Sequence, residues 1–516
     1  MGVQISLPAH NCFMNNINKI NLKIPKEVSQ VTKTLQKAGF EAYLIGGCVR
    51  DLILGREPKD WDVTTNAIPE QIQALFAKSF YENKYGTVGV VNEDVARETE
   101  EGNVTRETLK VIEVTPYRIE SEYSDFRHPD TVSFSKNIED DLKRRDFTIN
   151  AIAYDPSKNI LIDNYKGQED IKDKIIKTVD LPSDRFKEDA LRMLRAVRFS
   201  VQLDFTISHE TGKAIIENSD LLEKISKERV RDEFSKIVMS DNPMIGVIMT
   251  QRFGLLKNIV PEIEEGIGVK QNSDHIYEVW EHCLRALNHA ANKKWPLEVR
   301  LAALLHDVGK PRTKGWNEEK KDATFYGHDV IGERMTKKIL TRLKFPGEVI
   351  DKVVKLVRNH MFFSDIEKIT LSAVRRIVRN VGKENVWDLM NVRACDRIGM
   401  GRPVETPYRL RKYESMIEEA MRAPVTVQML KIDGLKIIEV TRITPGPKIG
   451  YILHALLEEV LDNPELNTDD YLSGRAIELS KLSDEELKKI GEAGKEKKEE
   501  AEEVELKQIR KKYGVR

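Results

Sequence analysis

Two aspartates flank one tryptophan in Asp60-Trp61-Asp62, a short way past the segment Gly46-Gly47-Cys48-Val49-Arg50-Asp51. On a strand, residues two apart point to the same face. Two carboxylates so placed repel each other unless a cation sits between them. Hard oxygen ligands suit Mg²⁺, which takes one or two carboxylates plus substrate phosphates. Two such ions about 3.5–4 Å apart activate an attacking hydroxyl and stabilise a leaving pyrophosphate. Gly46-Gly47 closes an apolar strand and opens a helix, which lets backbone approach a phosphate closely. Arg50, on the first turn of that helix, brings a guanidinium to triphosphate oxygens. Taken alone, Asp-x-Asp is a surface turn more often than a metal site, and Gly-Gly before a helix is a weak signal.

The second constellation is His282, the adjacent pair His306-Asp307, His328, His360 and Asp396. A lone histidine on a helix is usually structural, and the chain has ten. Imidazole and carboxylate side chains together are, however, the donor types of divalent-metal sites. Six candidate ligands are enough for a two-metal centre. Within Leu304-Leu305-His306-Asp307-Val308-Gly309-Lys310, Gly309 would end the turn and Lys310 would face a phosphate. His275 lies one heptad before His282, which puts both on one helix face, and it is set aside as a bystander.

The elements that must position these groups change in kind along the chain. A helical pattern over 25–38 ends at Gly39, and 42–45 reads as a buried strand. Further strands are expected at 87–91, 109–115 and 149–154, with a Glu-rich exposed loop over 92–108. Beyond about 170, helical periodicity dominates, most clearly at 184–201, 227–239, 279–291, 297–306 and 350–359. From Ser483 the chain is Lys/Glu-rich and reads as a solvated helix or partly disordered tail. No internal repeat is found.

At the run 43–64 the pattern becomes specific: it resembles the signature of class II CCA-adding enzymes and bacterial poly(A) polymerases. The resemblance implies a polymerase-β-like nucleotidyltransferase head, with Asp60 and Asp62 as catalytic Mg²⁺ ligands and Gly46, Gly47 and Arg50 at the triphosphate. Arg144-Arg145-Asp146-Phe147-Thr148-Ile149-Asn150 resembles the family's ribose-selecting motif. An Arg and an Asp there would bracket a 2′-hydroxyl, and a site built to bond a hydroxyl rejects its absence by about 10⁴ or more. Glu188-Asp189-Ala190-Leu191-Arg192, running on to Arg195 and Arg198, resembles the base-reading helix. Asp189 and Arg192, three apart, would lie side by side and present an acceptor and a donor fork to a base edge. Arg195 and Arg198 would reach nucleotide phosphate. The segment 228–233 resembles the neck helix, its charges acting as struts. Thr115-Pro116-Tyr117-Arg118 through 125–130 resembles the strand and flexible loop that switch specificity from C to A, which sets Arg118 among the nucleotide contacts. Phe126 stands where the family often has Gly. The His306-Asp307 pair resembles the HD phosphohydrolases, which implies His282, His306, Asp307 and Asp396 as the family's metal core, joined here by His328 and His360, with Mg²⁺, Mn²⁺, Ni²⁺ or Fe as the metal. Thr444-Pro445-Gly446-Pro447-Lys448 resembles the C-terminal element of CCA-adding enzymes, with Gly446 and Lys448 as RNA contacts.

The resulting fold class is an α+β head followed by all-α neck, HD and tail domains. The expected divisions are a leader at 1–22, the head at 23–170, the neck at 171–270, the HD domain at 271–400, a tRNA-contacting tail at 401–482 and a charged tail at 483–516. Length fits this, since 516 residues exceed one core. A net charge of −1 gives no global attraction to nucleic acid, so RNA must be bound by local basic surface, including Arg375, Arg376, Arg379, Arg409 and Arg411. Four cysteines without a CxxC pair indicate neither a disulfide framework nor a zinc ribbon and fit a reducing cytosol. No apolar run reaches spanning length and no signal pattern opens the chain. Met1-Gly2-Val3-Gln4-Ile5-Ser6 matches a myristoylation pattern, a six-residue match that chance readily supplies.

The resemblance thus implies addition of CCA, from CTP and ATP, to the 3′ end of tRNA in the cytoplasm, with a second metal-dependent phosphohydrolase site. It implies no membrane and no obligatory protein partner. The alternatives are a poly(A) polymerase, an enzyme adding only CC or only A, or a protein acting mainly as an HD hydrolase.

Overall fold

A computed structural model describes residues 22–81, 86–92, 111–120, 132–361, 370–422 and 427–515. The leader 1–21, most of the Glu-rich loop and the loop 125–130 lie outside the described residues. The chain forms two compact units, Met1–Val354 and Lys355–Arg516.

The first unit opens with α1 (Lys26–Lys37), which packs Val28, Val31 and Leu35 inward and ends at Gly39 with φ +90°. The head sheet follows: β1 (Ala42–Ile45), β2 (Asp62–Thr65), β3 (Ser79–Tyr81), β4 (Val88–Val91), β5 (Val111–Pro116), then β6 (Arg118–Glu120) and β7 (Val132–Phe134) as a separate hairpin, then β8 (Ala153–Asp155) and β9 (Ile160–Ile162). Seven strands pair in the order β3-β4-β5-β2-β1-β8-β9. Among the described residues, only β2 and β5 are parallel neighbours in it, with Asp62 opposite Glu113. The central strands are buried Val/Ile/Leu positions, so register is fixed by the core face. Two helices frame the site: α2 (Gly47–Ile53) after β1, and α3 (Ile138–Lys143) before the expected ribose motif. The expected strand at 149–154 is only partly strand. Thr148–Asn150 is a 3₁₀ turn and pairing begins at Ala153, because the Asn150 side chain is drawn inward to bond Asp146 and Arg50.

The expected single helix over 184–201 is two helices, α4 (Pro182–Glu188) and α5 (Leu191–Leu203), broken at Asp189. Asp189 is extended at φ −140°, and its Oδ1 accepts the Leu191 N–H at 3.1 Å. A short acidic side chain competes for backbone donors in this way, so it caps a new helix rather than continuing the old one. Next comes α6 (Lys227–Val238), packed along α5. Then α7 (Val279–Asn292), α8 (Leu297–Leu305) and α9 (His328–Arg342) form the helical frame that carries the histidines. The helix α10 (Gly347–Asn359) follows.

In the second unit, α11 (Leu371–Val381) packs on α12 (Tyr408–Met421). The helices α13 (Pro447–Asp462) and α14 (Asp484–Lys512) pack along each other. The charged tail is therefore a long docked helix. Ser483 and Glu486 form a capping box at its start, and Leu487, Ile509 and Val515 are buried. Among the described residues, no helix is long and apolar enough to cross a membrane.

Candidate functional site

The head site is built at the ends of β1 and β2. Gly46, at φ +77°, turns β1 into α2, a conformation only glycine adopts without strain. A Cβ there would lie 2.9 Å from Arg145 Nη1 and 3.8 Å from Asp62 Oδ2, so Gly46, Arg145 and Asp62 converge on one spot. Asp62 begins β2 and is half-buried, whereas Asp60 is exposed in the bend before it. The expectation that both sit on a regular strand is corrected in that respect. The ladder does reach Trp61, whose carbonyl accepts the Glu113 N–H at 3.3 Å, and the indole is buried. Glu113, missed in the sequence, stands in register with Asp62 on the parallel neighbour. Cys48 beneath them is inert: burial, then the Asp62 charge, pushes its thiol up to about 12.

A hydrogen-bonded chain joins the expected phosphate and ribose residues. Arg50 donates from Nη2 and Nε to Asp51 Oδ1 (2.7 and 2.9 Å) and from Nη1 to Asn150 Oδ1 (2.7 Å). Asn150 Nδ2 donates to Asp146 Oδ1 (3.0 Å), and Arg195 donates to Asp146 Oδ2 (2.6 and 2.9 Å). Arg50, Asn150 and Asp146 are all buried. Burial works against ionising Asp146, but Arg195 and the Asn150 amide hold its carboxyl well below the usual range. Arg144 and Arg145 are held by Asp141, a fully buried carboxylate that the sequence reading passed over (2.6 and 3.2 Å). Its signal was available, because Asp141 precedes both arginines at helical i,i+3 and i,i+4 spacing.

The expected base readers are near each other in sequence but not paired side by side. Asp189 is gripped by Arg229 Nη1 and Nη2 (3.2 and 2.7 Å), while Arg192 donates to Glu188 Oε2 (2.7 Å) and to the Arg144 carbonyl (3.1 Å). The helix break at Asp189 is the cause. Glu233, also on α6, takes Arg198 at 3.0 Å, so the neck charges do act as struts. Arg118 sits on β6, opposite Phe134.

The histidine centre in the first unit joins three helices. His282 is on α7, His306 and Asp307 follow α8, and His328 starts α9. All four are buried. His282 Nε2 lies 2.8 Å from His306 Nε2 and 3.0 Å from Asp307 Oδ2. Asp307 is also 3.3 Å from His306 Nε2 and 3.4 Å from His328 Nε2. His306 and His328 each donate from Nδ1 to a backbone carbonyl, of Ala303 (2.8 Å) and Phe325 (2.7 Å). Those bonds fix the tautomers that turn Nε2 lone pairs inward, the arrangement a metal-binding imidazole requires. The donor set fits a divalent metal. Burial opposes ionising Asp307, yet the Lys310 ammonium beside it holds its carboxyl well below the usual carboxylate range. Lys310 Nζ bonds Asp307 (2.7 Å) and Gln271 (2.6 Å) and approaches His275 (3.4 Å). His275 precedes α7, so it shares no helix face with His282; it meets that ring edge-on at 5.3 Å. At Gly309 a Cβ would fall 2.3 Å from the His328 carbonyl, so only glycine permits this approach.

In the second unit, His360 and Asp396 are buried. His360 Nδ1 donates to the Val357 carbonyl (2.7 Å), and Asp396 pairs with Arg393. Lys448 is engaged by Asp484 and the Leu482 carbonyl, both at 3.1 Å, and Gly446 is extended at φ 172°.

Three family profiles match the chain: a poly A polymerase head domain over 42–177, a probable RNA and SrmB-binding site of polymerase A over 204–267, and an HD domain over 274–399. A CCA-adding enzyme of Lactobacillus delbrueckii is 46% identical over 223 residues, which cover 42% of this chain and 52% of that protein. The chain thus spans about half the length of such curated relatives. An A-adding tRNA nucleotidyltransferase of Deinococcus radiodurans is 34% identical over 340 residues, covering 64% of this chain and 76% of that protein. Among solved structures, a Bacillus stearothermophilus CCA-adding enzyme in complex with CTP matches with a TM-score of 0.57 and 27% identity, covering 88% of this chain and 98% of that one.

Proposed function

The chain belongs to the family of tRNA nucleotidyltransferases and poly(A) polymerases, and on that premise we propose that it adds CCA, from CTP and ATP, to the 3′ end of tRNA. The observation that carries this is the hydrogen-bonded chain Asp51–Arg50–Asn150–Asp146–Arg195, buried at its centre, which ties a phosphate-seeking guanidinium to a ribose-reading carboxylate. Families of this kind depend on metal. Asp60 and Asp62 would hold Mg²⁺, which supplies the charge that activates the tRNA 3′-hydroxyl and stabilises pyrophosphate as it leaves. Gly46 and Gly47 give backbone access to the triphosphate, and Arg50, Arg195 and Arg198 offer it guanidinium donors. Asp146 and Asn150, flanked by Arg144 and Arg145, orient the ribose. Asp189 and Arg192, with Glu188 behind Arg192, read the base, and Arg118 stands on the nucleotide side. Gly446 and Lys448 are proposed RNA contacts; Lys448 would exchange Asp484 for phosphate. The cytoplasm is the proposed compartment, and the domain limits stated above are retained.

Transcripts of tRNA ending before CC, before the final A, or complete are incubated with each NTP. Sequential addition of C, C and A supports the reading, and extension of every end by A alone would make the protein a poly(A) polymerase. A second reading, addition of A only, is favoured by the Deinococcus relative and would appear as extension of only the transcript lacking A.

The histidine centre is proposed as a separate phosphohydrolase. His282, His306, Asp307 and His328 would hold Mg²⁺, Mn²⁺, Ni²⁺ or Fe, which polarises a phosphoester for attack by water. His360 and Asp396 are carried into this proposed set by the resemblance to HD phosphohydrolases. The proposed substrate is a 2′,3′-cyclic phosphate or 2′-phosphate at an RNA end, whose removal restores the hydroxyl that the head needs. Hydrolysis of cyclic-phosphate-ended tRNA by wild type, lost in His306→Ala/Asp307→Ala while nucleotide addition persists, is the expected result.

A further inference from the structure

Three arginines assigned above to the triphosphate share one aromatic ring. The guanidinium carbons of Arg50, Arg195 and Arg198 lie 5.2, 5.3 and 4.2 Å from the ring centroid of Phe199. Phe199 is on α5 and buried, and its ring meets Phe147 edge-on at 5.8 Å and 83°. Phe147 directly follows Asp146, so one ring touches residues from α2, α5 and the ribose segment.

Each guanidinium also has a carboxylate: Asp51 for Arg50, Asp146 for Arg195 and Glu233 for Arg198. Carboxylates neutralise charge, but they occupy N–H donors to do so. An aromatic face works differently. It attracts a cation through its quadrupole and meets the guanidinium without using an N–H. Contact with the ring therefore restrains orientation while leaving donors for a ligand. It also eases the crowding of three like charges. That crowding is real at Arg198, where burial and then Arg195 press the guanidinium down to about 10.

We propose that Phe199 is a positioning residue for nucleotide binding, whose ring sets the Arg50, Arg195 and Arg198 guanidiniums as one unit for a triphosphate. This rests on the nucleotidyl-transfer reading. Such a residue acts on ground-state binding of every NTP alike, so its loss raises KM for CTP and ATP together and leaves kcat and the choice of base unchanged.

The test keeps the shape of the side chain and changes only its electrostatics. Phe199 is replaced by mono-, di- and trifluorophenylalanine, which weaken the negative ring face stepwise at nearly constant volume. Phe199→Tyr keeps the ring, and Phe199→Leu removes it. Binding of CTP, ATP and unphosphorylated cytidine is measured with steady-state incorporation. A stepwise rise in KM for both NTPs is expected, about tenfold at trifluoro substitution. Cytidine affinity and kcat should hold within about twofold, with Phe199→Tyr near wild type. Flat KM across the fluorinated series, or a loss confined to kcat, would overturn the positioning role while leaving the nucleotidyl-transfer reading standing. Absence of saturable NTP binding in the unmodified protein would overturn that reading and the inference with it.

Discussion

Replacing Asn150 by Leu tests whether the buried polar chain works as a unit. The amide accepts from Arg50 at 2.7 Å and donates to Asp146 at 3.0 Å, with all three residues buried. Leucine matches asparagine in branching and heavy-atom count but is bulkier, so the lost polar partners set the minimum cost. One charged donor and one charged acceptor each lose a partner, at about 1–3 kcal/mol apiece. Arg50 keeps Asp51, and Asp146 keeps Arg195 and the Phe147 N–H, so the low end applies to each. The expected loss is therefore about 2–3 kcal/mol of unfolding free energy, read by urea denaturation. Arg50 also loses its tether to residue 150, so on the proposed nucleotide roles KM for CTP and ATP should rise about tenfold. Arg50→Met and the double variant complete a cycle. Coupling above about 0.5 kcal/mol supports a unit. Additive effects, or an Asn150→Leu protein as stable as wild type, would refute the reasoning.

Other consequences follow from the same geometry. Burial opposes ionising Asp141 and Asp146, but Arg144 and Arg145 hold the first, and Arg195 the second, below the ordinary carboxylate range. Their folded values are depressed, so the stability they contribute is present above about pH 4 and lost as pH falls through the folded values. Melting temperature should drop progressively below about pH 4, with a shallower slope in Asp141→Asn. Arg229→Met should free Asp189 and increase UTP misincorporation relative to CTP while leaving triphosphate affinity within about twofold; unchanged selectivity would deny Arg229 a part in base reading. Gly309→Ala must push back the His328 carbonyl, so about 1–3 kcal/mol of stability and most bound Mn²⁺ should be lost, read by denaturation and metal analysis.

The head was legible because its signals are contiguous. Gly46-Gly47, Arg50 and Asp60-Trp61-Asp62 fall within one strand–helix–strand unit, although only Asp62 of the two aspartates lies on the strand. Pairings that depend on tertiary contact were not legible. Nothing near Asp189 announces that Arg229, forty positions on, takes its carboxylate, or that its own side chain stops one helix and caps the next. Asn150 reads as a strand residue until the inward pull of Arg50 and Asp146 is known. Phe199 reads as an ordinary core aromatic, since the arginine planes around it come from two helices. The charged tail misleads for a different reason: a few apolar residues, Leu487, Ile509 and Val515, suffice to dock a helix whose composition suggests solvation.

Whether Asp60 and Asp62 drive template-independent nucleotide addition is decided by a single experiment. A tRNA transcript lacking CCA is incubated with Mg²⁺, CTP and ATP and wild-type, Asp60→Ala or Asp62→Ala protein, and its 3′ ends are sequenced while tRNA affinity is measured in parallel. Wild type should complete the ends to CCA, and either variant should leave them unextended with tRNA affinity within about twofold of wild type. Completed CCA ends from Asp62→Ala at the wild-type rate would contradict it.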